Sequence, residues 1–300
     1  MKPKIIVILG QTATGKSNLA VKIAKQIGGE IISADSRQVY KGLDLGTGKI
    51  TKKEMEGVPH HLLNVANPRK SFSVAEYKKL AEEKIEEILK RGKTPIIAGG
   101  TGLYIKSIVD NISFPEVPPN ETLRKKLKKS SAKKLFALLK KIDPRRAQTI
   151  ESKNPRRLIR AIEIAKALGR VPNLEASLPS KYKILQIGLK LPPEVLKKKI
   201  KERLKKRLRA GMAIELHNLR KKGVPWKRFR ELGFDQKYIA LYLQNKISQK
   251  EMLEKLLNKN WQYAKRQWTW FKRDKKIIWI DPSKKSDLKK LENEIKTFLK

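Results

Sequence analysis

The 300 residues carry 71 Lys and Arg against 29 Asp and Glu, a formal net charge of +42, with 39% hydrophobic residues, three histidines and no cysteine. That apolar content is enough for a folded core, and the missing thiols exclude disulfides, thiolate catalysis and cysteine-ligated zinc. The charge favours a polyanionic partner, but lysine is spread along the whole chain, so a solvated lysine surface explains the balance equally well and the arginine clusters are more informative.

The first element is KIIVILG, a continuous apolar run rich in β-branched residues and closed by Gly10, which predicts a buried parallel strand. SNLAVKIAKQIGG follows as a helix with Leu19, Ile23 and Ile27 on one face and a double-glycine stop. EIISADS reads as a second strand that ends in polar residues. His60 and His61 read as the end of a strand, because no third ligand stands at metal-site spacing from them or from His217. SVAEYKKLAEEKIEEILKRG is an amphipathic helix with a serine cap and a glycine stop. TPIIAGGTGLYIKSIV is a strand, a glycine turn and a helix start. The alternation makes the fold class α/β, a P-loop-type parallel-sheet core.

The proline-rich FPEVPPN, residues 114–120, marks a change of character. Beyond it the pattern is helical only, and DPRRAQTI and NPRRLIRAIEIAKALGR each begin with an Asx cap and proline at the first helical position. YKILQIGLKL returns to strand and is expected to join the same sheet. The division expected is residues 1–114 with 183–300 as the catalytic core and residues 115–182 as an all-helical insertion. The next helix, EVLKKKIKERLKKRLRAG, is predicted to bury Val195, Ile200, Leu204 and Leu208 under a basic opposite face. A long helix near residues 249–272 carries Leu253, Leu257, Trp261, Ala264 and Trp268 at helical spacing, and KIIWI forms a last strand. No apolar run approaches the roughly 20 residues of a membrane helix, and no leader-like stretch precedes the first strand. The expectation is a cytoplasmic chain with no membrane contact.

Chemistry concentrates at three strand ends. GQTATGKS, residues Gly10, Gln11, Thr12, Ala13, Thr14, Gly15, Lys16 and Ser17, fits G-x-x-x-x-G-K-[ST] between a strand and a helix. Its amides and the helix N-terminus suit phosphate oxygens. Lys16 adds a full charge, and the Ser17 hydroxyl is suited to hold Mg²⁺. Asp35 ends the second strand, followed by Ser36, Arg37 and Gln38. It can serve as a magnesium-linked carboxylate, a cap or a general base, and the general base is preferred because a reacting nucleophile would lie beside it. Thr101, bracketed by Gly99, Gly100 and Gly102, presents a hydroxyl suited to donate to a leaving-group oxygen.

GQTATGKS, ISADSRQVYKGLDLGTGK, PHHLLNV, GGTGLY, NPRRLIRAIEI and AKRQWTWFK, in this order along nearly the whole chain, resemble the bacterial tRNA dimethylallyltransferases. The resemblance implies transfer of a dimethylallyl group from dimethylallyl diphosphate to the exocyclic amine of an adenosine just 3′ of the anticodon. It makes the loop a holder of a diphosphate leaving group. It implies that Asp35 takes the amine proton, that Thr101 contacts the bridging oxygen, and that Lys16, Arg203 and the Mg²⁺ on Ser17 neutralise the diphosphate. It places tRNA contacts at Asp35, Ser36, Arg37, Gln38 and Thr101, at Arg124, Arg156, Arg157 and Arg160, at Arg230 to Asp235, and at Lys265, Arg266, Gln267, Trp268 and Lys272. The mixed basic and apolar composition of RRLIR and KRQWTWFK suits single-stranded RNA independently, although Trp268 and Phe271 fit a core stripe equally well. The resemblance further implies a monomer. Two departures stand out: Phe234 occupies a position where the family has Tyr, and Arg207 one where Met is common.

Two other readings share the loop. A P-loop small-molecule kinase explains neither GGTGLY nor the basic insertion. An adenylate isopentenyltransferase, with free AMP or ADP as acceptor, needs little of the basic helical half.

Overall fold

The structure is a computed structural model that describes residues 2–173 and 179–300. Strands β1 (Lys4–Gly10), β2 (Glu30–Ala34), β3 (His60–His61), β4 (Pro95–Gly99), β5 (Lys183–Leu189) and β6 (Ile277–Ile280) form one sheet in the order β3-β2-β4-β1-β5-β6. Every pairing is parallel; Ile6 faces Ile96 on one side of β1 and Leu185 on the other. The period-two alternation of β1 splits its side chains between two cores. Ile5, Val7 and Leu9 pack on one face with Tyr77 and Phe229, while Ile6 and Ile8 pack on the other with Leu19 and Ile23. Helices α1 (Lys16–Ile27), α2 (Lys52–Met55), α3 (Val74–Lys90) and α4 (Gly102–Val109) connect the first strands. Ser73 caps α3 through a reciprocal capping box with Glu76. His60 and His61 pair with Ile31 and Ile32 as a two-residue edge strand, a short element that covers the edge of β2.

The residues up to Asn111 and those from Pro179 onward form one compact unit, and those from Ile112 form a second. The second holds α5 (Glu121–Leu127), α6 (Ala132–Ile142), α7 (Pro144–Thr149) and α8 (Pro155–Leu168), packed around Leu135, Leu139, Leu158 and Ile162. Asp143 and Asn154 cap α7 and α8, each with proline in the first turn. Residues 174–178, within the span assigned to the helical insertion, lie outside the described residues.

The first unit continues with α9 (Pro193–Arg209), α10 (Met212–Lys221), α11 (Trp226–Leu232), α12 (Phe234–Leu243), α13 (Gln249–Phe271) and α14 (Lys285–Leu299). Two expected helix faces are corrected here. On α9 the buried residues are Leu196, Ile200 and Leu204, while Val195 is exposed. On α13 the buried row is Met252, Leu256, Asn260, Ala264, Gln267 and Phe271, one position round from most of the expected apolar stripe. The reason is that Asn260 and Gln267 are buried with their amides satisfied. Asn260 donates to Asp235 at 2.9 Å, and Gln267 donates to the Gly100 carbonyl at 2.9 Å. No described helix is long and apolar enough to cross a membrane.

Candidate active site

The order in which the chain visits the strands reverses around β1, with β4 on one side and β5 on the other, and ligand crevices of open α/β sheets form at such a point. The phosphate loop leaves β1 there. Gly10 has φ 137° and its missing Cβ would lie 2.5 Å from the Leu189 carbonyl oxygen, so only glycine fits beside β5. Ala13 and Gly15 also have positive φ, at 63° and 93°, which turns the loop around its own amides. Thr14 is buried and donates to the Gln11 carbonyl at 2.8 Å. Gln11 donates to the Ala264 carbonyl at 3.0 Å, and the Thr12 amide donates to Gln267 at 2.7 Å. Gln267 therefore joins α13 to both the phosphate loop and the strand end at Gly100.

Lys16 donates to the Gln11 carbonyl at 2.6 Å. Burial, with Arg203 close by, pushes its amine down to about 7 against the opposing pull of Asp35. Ser17 is exposed in the first turn of α1. Arg203 lies on α9, yet its guanidinium donates to the Thr12 hydroxyl at 3.2 Å and to the Gly48 carbonyl at 2.8 Å. Burial and the neighbouring Arg207 lower its pKa. The Lys16 amine and the Arg203 guanidinium thus converge on the phosphate loop, and an anion bound there would favour the charged form of both.

Asp35 follows β2 and accepts the amides of Arg37 at 2.8 Å and Gln38 at 3.4 Å, both on Oδ1. This is an Asx turn, so the cap is real, and it leaves Oδ2 available. Thr101, after β4, accepts the Ser36 amide at 2.9 Å and donates weakly to the Ser36 hydroxyl at 3.4 Å. The two strand ends are therefore joined to each other.

Several site neighbours carry no signal in the sequence alone. Tyr263 on α13 stands by Thr101, Asp35 and Arg37, and burial pushes its phenol up. Its ring lies 5.9 Å from the Arg266 guanidinium and 6.0 Å from the Phe234 ring. Arg207 binds the Leu45 and Gly46 carbonyls and pairs with buried Asp235 at 2.9 Å. Glu215 accepts three successive amides at Asp44, Leu45 and Gly46. Each is an ordinary charged or aromatic residue on an amphipathic helix, where nothing local distinguishes it from a surface residue.

The remaining residues expected at RNA fall into two groups. Arg37, Arg230, Lys265, Arg266 and Lys272 are exposed on the first unit, and Arg156 and Arg157 on the second. Gln267 is buried, and Trp268 is half-buried, edge-on to Trp279 at 4.8 Å. Gln38 is half-buried and reaches the Gly48 carbonyl at 3.4 Å. Arg124 and Arg160 both grip Glu163, at 2.8 Å and 2.5 Å. Burial alone would raise Glu163; the two guanidinium groups and the Asn120 amide hold it low instead.

A family model described as IPP transferase matches residues 38–274. The tRNA dimethylallyltransferase of Anoxybacillus flavithermus is 39% identical over 303 residues, spanning 100% of this chain and 97% of that protein. The solved structure of the full-length tRNA isopentenylpyrophosphate transferase of Bacillus halodurans is similar with a TM-score of 0.75 and 35% identity, over 99% of this chain and 97% of that one. A eukaryotic dimethylallyltransferase solved acting on tRNA is similar with a TM-score of 0.79 and 26% identity, over 93% of this chain and 74% of that one.

Proposed function

The chain belongs to the IPP transferase family, and from that premise we propose that it is a tRNA dimethylallyltransferase. It moves a dimethylallyl group from dimethylallyl diphosphate to the exocyclic amine of an adenosine just 3′ of the anticodon and releases diphosphate. The observation that carries this reading is the reach of Arg203 across to Thr12 in the phosphate loop, with Asp35 and Thr101 at the neighbouring strand ends.

The amine nitrogen attacks the allylic carbon, the carbon–oxygen bond breaks, and its electron pair leaves with the diphosphate. Asp35 takes the amine proton on Oδ2, since Oδ1 is held by the turn amides. The Thr101 hydroxyl gives up its weak contact with Ser36 and donates to the bridging oxygen. Lys16 and Arg203 oppose charge that grows only as the bond breaks, so they favour the transition state over the bound substrate. The target base must leave its stack to reach Asp35.

Among the described residues no group of three or more His, Cys, Asp or Glu side chains stands together as a metal site. The exposed Ser17 hydroxyl fits a single protein ligand to a Mg²⁺ carried by the diphosphate. Bound there, the ion would add positive charge against the leaving oxygens. The exposed basic residues named above meet the tRNA. A monomer working in the cytoplasm completes the reading.

The test is product identity. The chain is incubated with dimethylallyl diphosphate and either tRNA or AMP, and nucleosides are analysed by mass spectrometry. Prenylated adenosine in tRNA, with inorganic diphosphate and no added nucleoside triphosphate, is expected. Prenylated AMP alone would identify an adenylate isopentenyltransferase, and ADP formed from ATP a kinase.

A further inference from the structure

The segment Asp44–Gly48, sequence DLGTG, makes a short turn of 3-10 helix over Leu45–Thr47. Side chains from three later helices occupy its backbone polar groups. From α10, the Glu215 carboxylate accepts the amides of Asp44 at 2.8 Å and Leu45 at 2.7 Å on Oε2, and of Gly46 at 2.8 Å on Oε1. From α9, Arg207 donates to the carbonyls of Leu45 at 2.5 Å and Gly46 at 2.7 Å. From α12, Gln236 donates to the Gly46 carbonyl at 2.9 Å. At the far end of the turn, the Gly48 carbonyl accepts from Arg203 at 2.8 Å.

Three amides converging on one carboxylate form an anion site at the start of a helical turn, and a neutral side chain cannot fill it equally. A carboxamide would turn an N–H₂ toward one of the amide donors. The glycines of the turn are spaced to receive these groups. A Cβ on Gly46 would lie 2.9 Å from Glu215 Oε1, and a Cβ on Gly48 would lie 2.2 Å from the Arg203 guanidinium. Glu215 touches neither the phosphate loop nor Arg203. Among the described residues its carboxylate is hydrogen-bonded to this turn. Burial pushes the Glu215 carboxyl up even though the amides pull it down, so holding the charge there carries a penalty.

We propose that Glu215 is a positioning residue for Arg203: by gripping the amides of residues 44–46 it fixes the turn whose Gly48 carbonyl aims the guanidinium at the phosphate loop. This rests on the reading of Arg203 as a diphosphate ligand. A guanidinium fixed at both ends enters the bound state already oriented; one released from Gly48 does not.

The test is calorimetric binding of inorganic diphosphate to the full chain, with no RNA or prenyl donor present. Glu215→Gln is expected to weaken binding about tenfold, and Arg203→Ala by at least as much. The double variant is expected to bind no more weakly than Arg203→Ala, because the grip on the turn has nothing left to aim. Gly46→Ala disturbs the same carboxylate from the turn side. It should also weaken binding only while Arg203 is present, and it serves if Glu215→Gln does not fold. Losses that multiply in the double variants would mean that Glu215 acts on the fold generally, and would overturn the inference. Undiminished binding by Glu215→Gln would overturn it too. Failure of the unaltered chain to bind diphosphate would overturn the diphosphate reading, and this inference with it.

Discussion

Strand β2 is bounded by two carboxylates in different states. Glu30, its first residue, is 3% exposed and is bound by His61 at 2.7 Å, Arg91 at 2.8 Å and Lys93 at 2.9 Å. Asp35, just beyond its end, is partly exposed and holds two backbone amides on one oxygen. Burial alone would raise Glu30, but hydrogen bonds from Lys93, His61 and Arg91 outweigh it and hold the carboxyl at about 2. So weak a base has little drive to take a proton from an amine. Its saturated network ties β2 to β3 and to the segment before β4, and it contributes to stability. The carboxylate at the other end holds its two amides on one oxygen and lies near Lys16 and Arg203. The difference lies in which lone pairs the fold has already used.

Removing a cation from the open end should have the largest effect. Arg203→Ala is expected to lower turnover by roughly 10²–10³-fold, measured at saturating tRNA. Turnover within about twofold of the unaltered chain would remove Arg203 from the diphosphate site. At the closed end, Glu30→Gln should cost about 1–3 kcal/mol in urea unfolding, at the low side because Arg91 and Lys93 rehydrate readily. Its turnover should hold; a large loss of turnover with unchanged stability would invert the comparison.

The acid limb sharpens the same contrast. A carboxyl held at about 2 in the folded chain, against 4.5 unfolded, stabilises fully above pH 4.5 and loses that contribution as pH falls toward 2. The stability gap between the unaltered chain and Glu30→Gln should therefore close across this window. A gap that stays constant would show that the ion pairs do not set it. The smallest effect is expected far from both carboxylates. Replacing Arg156 and Arg157 together by Ala should make the slope of log tRNA affinity against log salt shallower by about 1–2. An unchanged slope would mean that these exposed arginines do not meet tRNA phosphates.

The sheet was legible because β1 and β4 are apolar runs closed by glycine, and β2 carries a short apolar pair ahead of a polar strand end. The caps of α3, α7 and α8 were legible for the same reason: their chemistry is local. The buried face of α13 was not, because Asn260 and Gln267 look like solvent-facing residues until their partners at Asp235, Thr12 and Gly100 are in place. On α9, Val195 and Leu196 are adjacent and apolar, and only packing distinguishes them. In the site, Lys16, Asp35 and Thr101 could be read from strand ends. Arg203 was reached only through resemblance, since 191 residues separate it from Thr12. Glu215 and Tyr263 were missed altogether. Arg124 and Arg160 were read as RNA contacts, and the fold gives both a partner in Glu163, which lies one turn along α8 from Arg160 but 39 residues from Arg124.

The most direct measurement compares Asp35→Asn with the unaltered chain in single turnover, with enzyme in excess over tRNA and dimethylallyl diphosphate saturating, alongside tRNA affinity and melting temperature. The asparagine keeps the side-chain oxygen that caps the turn and removes the proton acceptor. The prenylation rate is expected to fall at least about 100-fold, with tRNA affinity and melting temperature nearly unchanged. A rate equal to that of the unaltered chain would contradict the assignment of Asp35 as the base, and with it the division of labour between the two ends of β2.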